Sequence, residues 1–411
     1  MKIVHTADLH LDSPLRGLRQ YEGAPLQEVR SATRRTFEAL IDLCLYEQAS
    51  LLLIAGDLYD GDFKDYSTAL FFHSEVMRLR DAGVEVVWLR GNHDAANHMT
   101  KHLRAAPHVH ELGFEAPETR VFERLGVAVH GQGYARRDLT ENIALGYPAP
   151  LSGLLNCGLL HTAIDGREGH APYAPCTLGQ LTSHGYDYWA LGHVHNREVL
   201  SERPFVVFPG NPQGRHIKET GPKGCTVIEI ENATIISVEH RILDQVRWEA
   251  CEVDVSEAQN LDDVLMQTQA MLMRLRARAG GRTLATRVRL VGRSPAHGAL
   301  YQQRDQLENE LLALAVELGD VYLESVKRET WGPQLEAVSQ GRDDALGQLF
   351  HAIDEVLQDA DSQASVWKEV VRSLERVPNK FFSDPELEPG EVLRDAKRLL
   401  EARLFSGGSD S

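Results

Sequence analysis

Short apolar runs of strand length recur along the first half of the chain, and helical patterns separate them. Ile3–Val4 and Leu51–Ala55 are the first two runs, and the second is continuous, as is typical of a strand buried on both faces. A helical pattern spans about 25–47 between them, and another spans about 66–80 before the run at 84–89. This order of strands and helices predicts a layered α/β domain, in which sites form at the carboxyl ends of strands.

The pattern changes from about Val246 onwards. Strands at 248–255, 286–290 and 321–326 alternate with helices at 261–278 and 300–318, which predicts a small α+β unit. Beyond Trp331 the chain is mainly helical and acidic, and Pro378, Pro385 and Pro389 interrupt it before a last helix at about 391–404. The length predicts two or three domains, and these changes divide the chain into regions at 1–240, 245–330 and 331–411.

Ligand-type side chains stand at the end of five predicted strands of the first region. They are Asp8 with His10, Asp57, Asn92 with His93, His161, and His193 with His195. In an extended segment residues i and i+2 face the same side, so Asp8 is expected to face the same way as His10, and His193 the same way as His195. We expect all of them to meet at the same edge of one sheet.

The mixture of carboxylate, amide and imidazole groups indicates the kind of ligand. Such a set suits octahedral divalent ions and favours Mn²⁺, with Mg²⁺, Fe²⁺ and Zn²⁺ as alternatives, and no thiolate takes part. Two ions about 3.5–4 Å apart can bridge one hydroxide and clamp a phosphate ester. Asp57 lies at the centre of the order and is the natural bridging ligand.

Composition limits the partners and the setting. The formal net charge of −17 argues against a general polyanion binder, so any nucleic-acid contact must come from a local basic patch. The five cysteines are scattered without a CxxC pair, and the amino terminus lacks the apolar segment of a signal peptide. No apolar run approaches the roughly 18 residues of a membrane helix. We expect a cytoplasmic protein with no membrane partner.

The densest basic stretch lies in the second region. It contains Arg274, Arg276, Arg278, Arg282, Arg287, Arg289 and Arg293. One interpretation is a solvated face whose arginines pair with neighbouring acids. The other is a patch that contacts phosphates, with Arg276 and Arg278 as candidate DNA contacts.

The motifs together resemble a known family. Asp8-x-His10, Gly56-Asp57, Gly91-Asn92-His93-Asp94, His161 and Gly192-His193-x-His195 are similar, in this order, to the motif set of the calcineurin-like metallophosphoesterases. The opening at 5–10 and the run at 210–216 are most similar to the DNA repair exonucleases of the SbcD/YhaO type, the YhaO branch in particular. That run also supplies Arg215 and His216 as candidate substrate contacts.

The resemblance implies a role for each motif residue. One metal is expected on Asp8, His10 and His195, the other on Asn92, His161 and His193, with Asp57 bridging them. His93 is implied to stabilise the phosphoryl transition state or to protonate the leaving oxygen, with Asp94 orienting it. Where some relatives carry a second catalytic histidine, three residues after the bridging aspartate, this chain has Asp60.

The resemblance also implies an architecture and partners. The fold class is α/β: residues 1–240 form a four-layer αββα metallophosphoesterase sandwich, and 245–330 form a small α+β capping domain that guides DNA. The acidic helical region 331–411 is the expected docking element for an SMC/Rad50-like coiled-coil ATPase, and a homodimer also rests on the resemblance. The chain has no GxxxxGK[ST] loop, so any ATP-driven step must come from another protein.

The leading hypothesis is a two-metal-dependent DNA nuclease, an exonuclease of DNA repair, that hydrolyses phosphodiester bonds by a metal-bridging hydroxide. A phosphomonoesterase or a small-molecule phosphodiesterase on the same fold is the alternative enzyme. A DNA-binding or partner-binding scaffold with a vestigial metal site is the alternative of a different class. The absence of GxGxxG, GxSxG and HExxH motifs removes dinucleotide-binding, serine-hydrolase and zinc-protease interpretations.

Overall fold

A computed structural model describes residues 1–13, 19–60, 67–96, 106–164, 173–333, 345–374 and 389–405. Two compact units make up the chain. The first unit comprises the described parts of Met1–Leu15 and Gln27–Trp248, and the second comprises those of Arg16–Leu26 and Glu249–Ser411. No helix in these described ranges is long and apolar enough to cross a membrane.

The first unit contains two six-stranded mixed sheets. The first sheet has the order β12-β11-β1-β2-β3-β4, and β1 to β4 run parallel to one another. Its strands are β1 (Lys2–Thr6), β2 (Leu51–Ile54), β3 (Glu85–Trp88), β4 (Val109–Glu111), β11 (Gly224–Glu231) and β12 (Thr234–Ile242). The pair β11 and β12 forms a hairpin around Asn232, and β11 runs antiparallel to β1.

The second sheet has the order β5-β6-β7-β8-β10-β9. Its strands are β5 (Glu118–Phe122), β6 (Val127–Gly131), β7 (Leu155–His161), β8 (Tyr188–Gly192), β9 (Glu198–Glu202) and β10 (Phe205–Phe208). The central strands β6, β7, β8 and β10 run parallel, so the carboxyl ends of β7 and β8 lie at the same edge.

The alternation of apolar side chains along the strands accounts for the layers. On β2, Leu53 packs between the two sheets with Val129 of β6, whereas Leu52 points outward to Phe37. Phe37 belongs to α1 (Leu26–Tyr46), which covers the outer face of the first sheet together with α2 (Ser67–Arg80). On the second sheet, Trp189 packs outward against α3 (Leu178–Ser183). Apolar residues on both faces explain the continuous runs, and the four-layer αββα arrangement is confirmed.

The second unit has a three-stranded sheet of order β13-β14-β15, covered on one face by two helices. Its elements are β13 (Val246–Asp254), α4 (Leu261–Arg278), β14 (Thr283–Arg293), α5 (His297–Gln302), α6 (Arg304–Leu318) and β15 (Val321–Trp331). Asn260 caps α4 by accepting a hydrogen bond from the Asp263 amide. The single helix predicted at 300–318 is interrupted at Gln303, whose backbone leaves the helical region (φ −103°, ψ 36°).

Three further helices follow in the described part of this unit. They are α7 (Ala345–Gln358), α8 (Ala360–Leu374) and α9 (Pro389–Phe405). Their apolar faces are only partly covered, because Leu349 on α7 and Leu400 and Leu404 on α9 stay exposed. The predicted helical character of this region is confirmed for its described residues.

Candidate metal centre

The predicted ligands lie at the ends of five strands or in the loops that follow them, and these strands belong to two sheets. Asp8, Asp57 and Asn92 follow β1, β2 and β3 of the first sheet, whereas His161 ends β7 and His193 follows β8 of the second. The expectation that all ligands meet at the edge of one sheet is therefore wrong. The two sheets stack face to face, so their loops meet at one end of the sandwich.

The loop backbones also differ from the expected extended form. β1 ends at Thr6, and Asp8 (φ 53°) and His10 (φ 43°) both have left-handed backbone conformations. Asp57 (φ 52°) and His193 (φ 100°) likewise have positive φ. Non-glycine residues rarely adopt such values, and they concentrate where side chains must be aimed at a site. Asp8 with His10, and His193 with His195, therefore do not follow the alternation of side chains that an extended strand would give.

The predicted metal ligands form two clusters, and a third group of potential ligand atoms joins His10 to Asp60 and His93. Asp8, His10 and His195 form the first, and Asp8, Asp57 and His161 form the second; within each, one ligand atom per residue lies within 4.8 Å of the others. The Nε2 atoms of His10 and His195 are 3.3 Å apart. Asp57 Oδ2 lies 3.8 Å from His10 Nε2 and 3.5 Å from His161 Nε2, so this carboxylate borders both clusters.

The remaining two predicted ligands, Asn92 and His193, lie beside the second cluster. Asn92 Oδ1 is 3.0 Å from His161 Nε2. The ring of His193 lies edge-on to that of His161, with the centroids 5.2 Å apart. The backbone N–H of His193 donates to both oxygens of Asp8 at 3.0 and 3.1 Å, which joins the β8 loop of the second sheet to the β1 loop of the first.

The residues in these clusters fit divalent cations. His10 is fully buried, and its Nδ1 has no hydrogen-bond partner among the residues that the structure describes. Burial raises the pKa of Asp8, and the charge of Asp57 raises it further, although His195 and His161 oppose this. Buried carboxylates and imidazoles with facing lone pairs are stabilised by a cation between them. The oxygen and nitrogen donors are consistent with a dimetal phosphoesterase.

His93 is held by a carboxylate other than the predicted one. Its Nδ1 lies 2.8 Å from Asp60 Oδ1, and its backbone N–H donates to Asp57 Oδ1 at 2.9 Å. Burial alone would lower the pKa of His93, but the hydrogen bond to Asp60 and the charge of Asp57 raise it above its usual value. The ring of His93 is 4.9 Å from that of His10, which places it next to the first cluster.

Asp94, the predicted orienting residue, binds backbone amides. Its two oxygens accept hydrogen bonds from the amides of Leu58 (3.2 Å), Tyr59 (2.9 Å) and Gly91 (2.9 Å). Asp94 is buried and begins a short 3-10 turn at Asp94–Ala96. Asp94 thus joins the β3 loop to the loop of Asp57, and its expected role in orienting His93 stays a prediction.

Close approach between loops explains two of the three glycines that precede motif residues, Gly91 and Gly192. A Cβ atom on Gly91 would lie 2.2 Å from Asp57 Oδ1, and one on Gly192 would lie 1.9 Å from the carbonyl oxygen of Ala55. Only glycine leaves the space for these contacts. The motifs therefore combine ligands with the small residues that let neighbouring loops touch.

The loop after β10 contributes a residue that the sequence analysis missed. Glu219 is buried, and its Oε1 accepts a hydrogen bond from His195 Nδ1 at 2.6 Å. Burial alone would raise the pKa of Glu219, yet the hydrogen bond from His195 and the charge of Arg215 hold it well below its usual value. The only signal in the sequence is that Glu219 follows the polar run at 210–216, and no spacing rule selects it.

Arg215 and His216 lie near the clusters. The guanidinium of Arg215 contacts two carboxylates, with Nη1 3.4 Å from Asp60 Oδ2 and Nη2 3.4 Å from Glu219 Oε1. His216 is half exposed at the rim, and its Nε2 lies 3.4 Å from Glu219 Oε1. Arg215 therefore links Asp60, which contacts His93, to Glu219, which contacts His195.

In the second unit, several arginines of the basic stretch are paired with acids. Arg276 forms an ion pair with Asp320, and Arg287 binds Glu324 through two hydrogen bonds of 2.8 and 2.7 Å. Arg289 contacts Glu252 and Glu329. Arg278 has no ion pair with any residue in the described part of the chain. The interpretation as a face paired with acids therefore describes Arg276, Arg287 and Arg289.

Comparisons with known proteins match two parts of the chain to family models. Residues 1–197 match the family described as Calcineurin-like phosphoesterase, and residues 248–331 match the family described as Metallophosphoesterase YhaO, middle domain. The uncharacterized metallophosphoesterase YhaO of Bacillus subtilis (strain 168) is 32% identical over 419 residues, which cover 98% of each chain.

Two more distant relatives match part of the chain. The DNA double-strand break repair protein Mre11 of Methanopyrus kandleri is 26% identical over 234 residues, which cover 52% of this chain and 49% of that protein. A subunit of the nuclease SbcCD from Staphylococcus saprophyticus is 23% identical over 268 residues, which cover 57% of this chain and 67% of that protein.

Proposed function

The chain belongs to the calcineurin-like metallophosphoesterases, and from this premise we propose that it is a two-metal-dependent DNA nuclease that hydrolyses phosphodiester bonds in DNA repair. The observation that carries the proposal is the pair of buried His/Asp clusters that share Asp8, with Asp57 at the border of both and His93 beside them. An exonuclease is the form that the resemblance favours.

The metal ligands that we propose follow the two clusters. Asp8, His10 and His195 would hold one ion, Asn92, His161 and His193 would hold the other, and Asp57 would bind both. Bound there, two divalent ions, with Mn²⁺ favoured, supply the Lewis acidity that stabilises the attacking and leaving oxygens of a phosphate ester. The buried position of Asp8 and His10 keeps these donors in place and away from water.

His93 would supply the proton in this mechanism. Its Nδ1 is engaged by Asp60, so Nε2 is the nitrogen that remains to donate a proton to the leaving oxygen. A raised pKa keeps the imidazolium populated near neutral pH, which is the state that a general acid needs. Asp60 in turn is fixed by Ser13 at 2.5 Å and by Arg215 at 3.4 Å.

Two observations support a polymeric DNA substrate. The relatives from M. kandleri and S. saprophyticus carry the names of a DNA break repair protein and a nuclease subunit. In the region 245–330, which we propose as a DNA-guiding cap, Arg278 lies in the last turn of α4 without an ion pair among the described residues. A cationic side chain of this kind can bind a phosphate without first losing a carboxylate partner.

We propose further that the region 331–411 docks an SMC/Rad50-like coiled-coil ATPase. The S. saprophyticus relative is named as one subunit of SbcCD, and the exposed Leu349, Leu400 and Leu404 offer an apolar surface on α7 and α9. Co-purification of the full chain with such an ATPase, compared with a Leu400→Glu, Leu404→Glu double variant, tests this. Undiminished co-purification of the double variant would contradict it.

A small-molecule phosphodiesterase or a phosphomonoesterase is the second candidate. The observation that favours it is the pairing of Arg276, Arg287 and Arg289 with acids, which reduces the positive charge available to a DNA backbone. The same metal ligands and His93 would serve this reaction.

One experiment separates the candidates. The purified chain with Mn²⁺ is incubated with end-labelled linear duplex, with closed circular single-stranded DNA and with bis-p-nitrophenyl phosphate, and Asp57→Ala is the control. We expect release of the label from the linear duplex, absent in the variant, and cleavage of the circle would identify an endonuclease. Hydrolysis of the small diester with neither DNA cut would refute a nuclease that acts alone and favour the second candidate.

A further inference from the structure

We propose that Glu219 is a positioning residue that fixes the ring of His195 for metal binding. This rests on the ligand assignment of the proposed function, because it takes His195 as a ligand of the first cluster. Glu219 itself touches neither a reacting atom nor the facing nitrogens of that cluster.

The hydrogen bond between the two side chains determines which nitrogen of His195 is available. A carboxylate can only accept, so the 2.6 Å contact with Glu219 Oε1 requires that His195 Nδ1 carries the hydrogen. The Nε2 atom then has a free lone pair, and it is this atom that lies 3.3 Å from His10 Nε2 in the first cluster. Carboxylate partners of this kind orient ligand imidazoles and make them more basic.

The carboxylate of Glu219 is itself fixed. Its second oxygen, Oε2, accepts hydrogen bonds from Asn211 Nδ2 at 2.9 Å and from the Arg215 amide at 2.7 Å. The side chain is buried, so water does not compete for these contacts. Rotation of Glu219 away from His195 would break four hydrogen bonds at once, counting the 3.4 Å contact from Arg215 Nη2 to Oε1.

The same loop holds the main chain of His195. The backbone N–H of Asn211 donates to the carbonyl oxygen of His195 at 3.2 Å, and the ammonium group of Lys223 donates to the same oxygen at 2.7 Å. Lys223 is buried and also lies 3.3 Å from Asn196 Oδ1. Both the backbone and the ring of His195 are therefore set by residues 211–223.

The second cluster lacks this dependence on Glu219. His161 Nδ1 lies 2.9 Å from the carbonyl oxygen of Ala55, which is a neutral backbone acceptor on β2's loop. Removing the charge of Glu219 should therefore weaken metal binding in the cluster with His195 and spare the cluster with His161. A residue with a merely structural role would affect both clusters alike, through the stability of the unit.

Glu219→Gln in the full chain tests this asymmetry without any substrate. Its amide keeps the shape of the side chain but removes the charge, and its NH₂ group faces the donors of Asn211 and Arg215. Mn²⁺ titration followed by electron paramagnetic resonance, with metal content per chain after dialysis, measures both sites. We expect binding at one site to weaken by about 10–100-fold and the other to stay within about twofold of wild type.

Two further variants make the test specific. Glu85→Gln is the matched control, because Glu85 Oε2 accepts from His110 Nε2 at 2.8 Å, the same kind of pair away from the clusters. It should bind both ions as the wild type does. Glu219→Asp retains the charge on a shorter side chain and should bind the metal of the first cluster more tightly than Glu219→Gln. If thermal unfolding shows that the glutamine variant is misfolded, the metal affinity of Glu219→Asp is compared with that of the wild type instead.

Wild-type affinity at both sites in Glu219→Gln, or an equal loss at both in a folded variant, would overturn the positioning role. Recovery by Glu219→Asp with Glu85→Gln unchanged would support it. Failure of the wild-type chain to cleave DNA would refute a nuclease that acts alone and leave this measurement unaffected, since it records metal binding alone.

Discussion

Replacing Asp60 by asparagine removes the charge behind His93 with little change of shape. Asp60 Oδ1 is 2.8 Å from His93 Nδ1, and the two side chains are 18% and 29% exposed. Ser13 holds the other oxygen of Asp60 at 2.5 Å, so the asparagine should keep its position. The variant therefore tests the charge of residue 60 rather than the architecture of the loop.

The magnitude follows from the hydrogen bond that is weakened. Hydrogen bonds to charged groups contribute about 1.5–3 kcal/mol, and partial exposure places this pair near the lower value, which corresponds to roughly a tenfold loss of kcat. The asparagine carbonyl still accepts from His93 Nδ1, so the loss should stay well below that of removing His93. Metal content should stay at the wild-type level, because none of the proposed ligands is changed.

The pH dependence gives a second and more specific signature. Burial alone would raise the pKa of Asp60, but the hydrogen bonds from His93 and Ser13 lower it to about 2. This carboxylate is therefore ionised over the whole pH range of the assay. Its charge helps to raise the pKa of His93. A general acid loses its proton as the pH rises through its pKa. In Asp60→Asn, the fall of kcat at high pH should therefore begin at a lower pH than in the wild type.

The assay is the pH profile of kcat for bis-p-nitrophenyl phosphate with Mn²⁺, together with metal content per chain. Asp187→Asn is the matched control. Asp187 Oδ2 accepts a hydrogen bond from the backbone N–H of Asn156 at 2.7 Å, at the ends of β7 and β8 that lie away from the metal centre. This variant should leave the profile unchanged. An Asp60→Asn enzyme with a normal metal content and an unshifted profile would show that Asp60 does not act through His93.

Three further predictions concern other parts of the molecule. His93→Ala should keep its metals and lose about 10²–10⁴-fold in kcat, whereas Asp57→Ala should lose metals as well; an equal fall in metal content of both variants would contradict these roles. Gly91→Ala should weaken Mn²⁺ binding in a titration, because its Cβ would lie 2.2 Å from Asp57 Oδ1, and unchanged affinity would mean that the loop yields. Arg278→Glu should weaken DNA binding in a gel-shift titration more than Arg276→Glu does, because Arg276 is already paired with Asp320. Arg278→Glu should spare hydrolysis of the small diester. Equal loss on both substrates would show that Arg278 supports the fold and does not contact DNA.

Sequence alone was sufficient where the signal is local. The apolar run at Leu51–Ile54 predicts a strand, and these four residues form β2 and are all buried. The apolar stripe of α1 predicts a helix at 25–47, which is close to the observed Leu26–Tyr46. The residue that follows such a strand is also visible in the sequence, which is why Asp57 and His161 could be chosen as candidates. The structure then brought both into one cluster.

Partners that are distant in sequence were decided by the tertiary structure. Apolar periodicity reports that a strand is buried but not which strand lies beside it, so the second sheet around β7 and β8 could not be inferred from their runs. Arg276 pairs with Asp320, 44 residues further along the chain, and no local pattern indicates that contact. The arginine-rich stretch therefore kept two interpretations until its acids were located.

The orientation of side chains at the metal centre also needed the folded chain. Asp94 follows His93 directly, yet the turn after β3 directs it to backbone amides, and Asp60 reaches His93 from the loop after β2. Glu219 meets His195 across 24 residues of sequence. Residue type and strand position thus determined which groups can bind metal, because both are local properties. Loop conformations with positive φ and the stacking of two sheets decided which groups touch, because those depend on contacts between distant segments.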